Sequence, residues 1–149
     1  MHLAIELSIK NIDKGGGPFG AVIVKDGEII AASANSVTND NDPTAHAEVN
    51  AIRAAAKALG TFDLSGCEIY SSCEPCPMCL GAIYWAKIDK LFFANTKVDA
   101  DNIGFSDKFI YDELEKPFSQ RKLKTQSLLR EKAIDAFIKW ENIENKTEY

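Results

Sequence analysis

No apolar run in this 149-residue chain approaches the roughly 20 residues that a membrane-crossing helix needs, so no membrane role is expected. The first residues, MHLAIELSIKNIDK, carry Glu6, Lys10, Asp13 and Lys14 and lack both the uninterrupted apolar core and the small-residue cleavage site of a secretory signal. A cytoplasmic protein is the expectation. Positive charge is also scarce: 17 Lys and Arg stand against 22 Asp and Glu, a formal net charge of -5. Gripping phosphate backbones is mostly the work of Lys and Arg, and that balance speaks against nucleic acid as the main partner. The one basic stretch, 116–124, reads as a solvated loop and a charged edge strand. Repeats, low-complexity tracts and Pro/Gly/Ser linkers are missing as well, which leaves one domain, 1–149, long enough to bury a core without disulfides.

Hydropathy patterning alternates helix and strand types. A helix over 3–13 is stopped by Gly15-Gly16-Gly17-Pro18. Strands over 19–24 and 28–34 are joined around Asp26-Gly27, a dipeptide favoured in tight hairpins. A helix over 45–59 places Val49, Ile52, Ala56 and Leu59 at helical spacing and ends before Gly60. A strand over 68–71, a helix over 75–86 and a strand over 91–95 follow. Beyond them the pattern predicts a short helix over 107–114, a fifth strand over 123–129, and a helix over 131–143 that turns Ile134, Phe137 and Ile138 inward. The fold class is α/β, with helices covering both faces of a mixed sheet.

Histidine is nearly absent, with only His2 and His46, whereas three of the four cysteines crowd into Cys73-Glu74-Pro75-Cys76-Pro77-Met78-Cys79. In a reducing compartment such crowding points to metal ligands or reactive thiols more than to a disulfide. Cys76 and Cys79 are three apart at a helix start, so their thiols share one face, and a helix N-terminus favours the thiolate that binds metal. His46 begins another helix and supplies a third ligand, with Glu48 two positions on. In mid-helix, residues i and i+2 point roughly 200° apart; beyond a first turn they can serve one site. Three protein ligands plus water is the pattern of catalytic zinc, and a fourth protein ligand that of structural zinc. Cys73 or Cys67 as fourth ligand would close the site and leave Glu48 without a task. The plainer reading makes both of them buried thiols.

His46-Ala47-Glu48 followed by Pro75-Cys76-Pro77-Met78-Cys79 resembles the signature of the zinc-dependent nucleobase deaminases. The wider run of Gly16 to Val24, Asn39 to Glu48, Ser72 to Trp85, Phe105 to Tyr111 and the ending Glu148-Tyr149 is similar to the bacterial guanine deaminases of the cytidine-deaminase-like superfamily. The resemblance implies a three-layer α/β/α sandwich with a mixed five-stranded sheet, one Zn2+ per subunit on His46, Cys76 and Cys79, and Glu48 as the proton shuttle. It implies a purine base as substrate, with Asn35, Ala47, Asp107 and Tyr149 contacting it. A homodimer also follows, domain-swapped through residues 143–149. The opening helix, with 18 residues before Phe19, is shorter than is common in that family. A tRNA adenosine deaminase or cytosine deaminase is the nearest alternative, and a noncatalytic zinc module closed by Cys73 is the alternative of another class.

Overall fold

The computed structural model describes residues 1–148, and the chain divides into two compact units, Met1–Lys108 and Phe109–Tyr149. The first unit opens with helix α1, His2–Ile12, followed by strands β1, Gly20–Lys25, and β2, Glu28–Ala34. Asp26 and Gly27 between the strands both have positive φ, 51° and 83°, the backbone of a tight hairpin turn. A one-turn helix α2, Val37–Asp40, leads to α3, Ala47–Leu59, then β3, Cys67–Cys73, α4, Pro77–Trp85, β4, Lys90–Asn95, and α5, Lys97–Asn102.

The sheet order is β2-β1-β3-β4, antiparallel at the first two joints and parallel between β3 and β4. Ala21, Ile23, Ala31, Cys67 and Ile69 on one sheet face form a buried core with Ala47, Ala51 and Ala55 of α3 and Ile83 of α4. The buried stripe of α3 is thus its alanines at four-residue spacing, and Ile52, Ala56 and Leu59 pack at its margin. Small side chains let the helix axis approach the sheet, which is why the centre of the stripe lies one residue before the larger apolar set. On the opposite face α1 bears on β1 at Gly20, where an added Cβ would stand 2.3 Å from the Ala4 carbonyl. The result is a mixed sheet between helical layers.

The second unit holds most of α6, Lys108–Leu114, a single 3-10 turn, Phe118–Gln120, and α7, Arg130–Glu141. Two of its basic side chains are used locally: Lys116 pairs with Glu113, and the Arg121 guanidinium donates to the Leu114 and Lys116 carbonyls while lying 4.5 Å from the Phe118 ring. Two expectations are corrected here. The fifth strand over 123–129 is absent among the described residues and the sheet has four strands; the three leucines of this segment flank four polar residues, too weak a pattern to specify a strand. Of the three α7 residues expected to face inward, Phe137 and Ile138 are exposed, 73% and 50%, and Ile134 is half-buried.

Candidate active site

Helices α3 and α4 each start at a residue of the cysteine and histidine set. His46 is the N-cap of α3 with extended backbone, φ -69° and ψ 154°, and Cys76 is the N-cap of α4 with φ -64° and ψ 168°. Pro77 follows at the first helical position, where its missing N–H costs nothing. Cys79 lies on the first turn of α4, fully buried. His46 Nδ1 stands 3.6 Å from Cys76 Sγ and 3.4 Å from Cys79 Sγ, and the three ligand atoms all lie within 4.8 Å of one another. A tetrahedral zinc with bonds of about 2.3 Å to sulfur and 2.0–2.1 Å to nitrogen sets its nitrogen and sulfur ligands about 3.5 Å apart. The donor set and its spacing therefore fit zinc, and His46, Cys76 and Cys79 can hold it.

Protonation follows the same contacts. The bond from the Cys79 thiol, reinforced by His46, pulls the Cys76 thiol down to about 4 against the opposing effect of burial. Cys79 is pushed up, first by that same contact with Cys76 and then by burial and the Glu48 carboxylate. His46 is raised above its ordinary value by its contact with Cys76. A coordinated metal ion deprotonates both thiols.

Glu48, in the first turn of α3, is only 6% exposed, and its two oxygens are held separately. Oε1 accepts from the Ser71 hydroxyl at 2.8 Å and Oε2 from the Cys79 thiol at 3.3 Å. The carboxylate thus lies against the metal-ligand cluster. Ser71 is a residue that sequence reasoning missed; its only signal was its place on the inward face of β3, in step with Cys67, Ile69 and Cys73.

Cys73 is also buried, but its thiol donates to the Thr96 carbonyl at 3.5 Å and is pushed up to about 11, chiefly by burial and then by Glu48. Cys67 packs in the core. Glu74 accepts from the Lys97 N–H at 3.0 Å and steadies the start of α5, itself closed by a capping box between Thr96 and Asp99.

Asn35 follows β2 and is buried, its N–H donating to the Phe19 carbonyl and its Oδ1 accepting from the Val37 N–H at 3.2 Å. The Asn50 amide on α3 joins this strand end to the metal side, donating to the Ala34 carbonyl, the Ser36 hydroxyl and the Ala45 carbonyl at 3.0–3.3 Å. Ala47 is fully buried between His46 and Glu48. Asp107 precedes α6; its carboxyl is raised by burial first and by the charge of Cys76 second, which puts it within electrostatic reach of the ligands. Two residues earlier, Phe105 packs edge-on against Phe19 at 5.0 Å between ring centres. Tyr149 lies outside the described residues.

Residues 1–95 match the family model described as the cytidine and deoxycytidylate deaminase zinc-binding region. The chain is 52% identical over 147 residues to a guanine deaminase of Bacillus subtilis, covering 98% of this chain and 94% of the relative, and that enzyme's crystal structure superposes with a TM-score of 0.95. A tRNA-specific adenosine deaminase of Aquifex aeolicus is 45% identical, over 63% of this chain and 62% of its own. A solved guanine deaminase from Nitrosomonas europaea has a TM-score of 0.69 at 37% identity, covering 71% of this chain and 62% of that one.

Proposed function

The chain belongs to the cytidine and deoxycytidylate deaminase zinc-binding family, and from that premise we propose that it hydrolyses guanine to xanthine and ammonia. The observation that carries the chemistry is the buried Glu48 carboxylate, set against a three-ligand His46, Cys76 and Cys79 cluster. The choice of guanine rests on the extent of likeness. The match to the guanine deaminase runs through Asp107 and its neighbours, whereas that to the tRNA enzyme spans 63% of the chain.

His46, Cys76 and Cys79 would hold the zinc, which when bound would acidify the attacking water. Glu48 takes a proton from the attacking water, whose oxygen adds to C2 of guanine. The same carboxylate delivers that proton to the ring nitrogen, then takes the proton of the new C2 hydroxyl, which becomes the carbonyl, and passes it to the exocyclic amine. The C2–amine bond breaks and ammonia leaves, so one group serves as base and then as acid. Ser71 keeps the carboxylate aimed through Oε1.

Asn35 and Asp107 read the ring. With Oδ1 of Asn35 committed to Val37, its Nδ2 is the donor for a purine acceptor, and Asp107 accepts from a ring N–H. Ala47, in the first turn of α3, offers a backbone N–H of the kind that helix starts leave unpaired. We further propose a cytoplasmic homodimer in which residues 143–149 pass to the partner subunit and Tyr149 closes its site. The four free cysteines and the exposed Phe137, Ile138 and Trp140 of α7 support this reading, and a light-scattering mass of one 16.4 kDa chain would refute it.

The deciding experiment is ammonia release from guanine, with cytosine, adenosine and tRNA in parallel, by zinc-loaded wild type and Glu48→Ala. Guanine turnover that falls by roughly 10²–10⁴-fold in the variant is expected for loss of a proton shuttle. Turnover of another of these substrates in place of guanine would refute the substrate assignment while keeping the chemistry.

A further inference from the structure

We infer that Asn11, near the end of α1, is a positioning residue that sets the substrate-reading amide of Asn35; the inference rests on the reading that Asn35 contacts the base. Asn11 is 8% exposed, a polar side chain on the inward side of its helix. A buried carboxamide is costly unless its donors are used, and both are. Its Nδ2 donates to the Gly17 carbonyl and to the Asn35 carbonyl, each at 2.7 Å. The Asn11 backbone carbonyl accepts from the Lys14 and Gly16 N–H groups at 3.1 and 3.0 Å. One residue thereby ties the glycine loop after α1 to the end of β2.

The loop has no slack at this point. A Cβ on Gly16 would lie 2.3 Å from Asn11 Nδ2 and 2.8 Å from the Asn35 carbonyl oxygen. A Cβ on Gly17 would lie 3.3 Å from both Cγ and Oδ1 of Asn35, so the Gly17 backbone is the wall on which the Asn35 carboxamide rests. From the other side Thr38 donates to the Gly15 carbonyl at 2.9 Å and Asn39 to the Lys14 carbonyl at 3.2 Å. A main-chain bond to the Phe19 carbonyl and the Asn11 side-chain amide on its own carbonyl fix the backbone of Asn35, and the Val37 N–H fixes which end of its amide is oxygen. Freed from Asn11, the Gly17 wall and the Asn35 carbonyl shift together, and the donor that meets the base loses its aim.

A base contact held equally in ground and transition states appears in KM and not in kcat. The test is a double-mutant cycle on the zinc-loaded full chain, Asn11→Ser and Asn35→Ala singly and together, with kcat and KM for guanine and zinc per chain measured for each. Asn11→Ser is expected to raise KM by about 3- to 10-fold, the range for a lost or misaimed hydrogen bond, with kcat and zinc content unchanged and no further rise in the Asn35→Ala background. A KM effect that multiplies in full in that background, or an unchanged KM in the folded single variant, overturns the role of Asn11 and leaves Asn35 in place. An unchanged KM in Asn35→Ala alone overturns the substrate contact and the role of Asn11 with it. If Asn11→Ser does not fold, Gly17→Ala presses on the same carboxamide from the loop side: the same KM rise, absent beside Asn35→Ala, supports the inference, and no rise overturns it.

Discussion

Removing the Cys73 thiol separates an open zinc site from a closed one. Cys73 is 5% exposed, its thiol bonds the Thr96 carbonyl, and it is held at about 11 by burial and then by Glu48, so at neutral pH it keeps its proton. Cys73 stands outside the cluster that His46, Cys76 and Cys79 form, and its thiol is turned to the Thr96 carbonyl instead. Cys73→Ala therefore loses one buried heavy atom and a weak hydrogen bond, about 1–2 kcal/mol in transfer and cavity terms. For a chain of this size that lowers the thermal midpoint by roughly 2–8 °C. Zinc per chain, read by chelator release after dialysis, stays at one. Cys79→Ala removes a ligand from a site whose metal energies are roughly 10 kcal/mol or more in structural cases, and its zinc falls well below one per chain. Equal loss of zinc in both variants, with guanine turnover indifferent to Glu48→Ala, would refute the open site and establish a four-ligand structural zinc.

Two further outcomes are expected. Ser71→Ala frees Oε1 of Glu48 from its 2.8 Å bond, a contact to a charged group of about 1.5–3 kcal/mol, so kcat for guanine drops by roughly 10- to 100-fold while zinc content holds, and Ser71→Thr restores most of it; an active Ser71→Ala would refute the positioning role. Asp63 is drawn down to about 2, first by the Ser65 hydroxyl, then by the Ser65 N–H and Lys87, so its folded value lies below the ordinary 3.8 and its contribution is full above that value and lost as pH falls through about 2. The thermal midpoints of wild type and Asp63→Asn should accordingly keep a constant gap above pH 5 and converge toward pH 2, and a gap that does not narrow would refute this.

The candidate metal cluster was legible because its pieces are local. Cys76 and Cys79 need only a helix start, and so do His46 and Glu48. The residues that escaped notice act across the fold: Ser71 meets Glu48 from 23 positions away and Asn11 meets Asn35 from 24. In the sequence each is one more Ser or Asn, and only its position on a buried face distinguishes it. The failures beyond residue 108 have a different cause. Leu123, Leu128 and Leu129 around four polar residues carry too little alternation to specify a strand, and an apolar helix side says what wants cover and not what covers it, so Phe137 stays exposed. Helix α5 was overlooked although Thr96 and Asp99 spell a capping box, because six residues carry too little periodicity to be read.

The hardest point in the sequence was how His46 and Glu48, two apart, serve one site. The N-cap settles it. His46 has extended backbone, so the helical 200° between i and i+2 does not apply, and its ring reaches the cysteines while Glu48 lies in the first turn of the helix proper. Cys76 repeats the device on α4. Neither side chain makes the capping hydrogen bond that Ser, Asn or Asp would give at that position, a bond of typically about 1 kcal/mol. Both helices thus forgo a local stabilisation at the residue that faces the metal, and Pro77 and the alanine stripe of α3 hold their starts in place by backbone restriction and burial instead. A serine at either cap would give the helix a better end and take a ligand from the zinc.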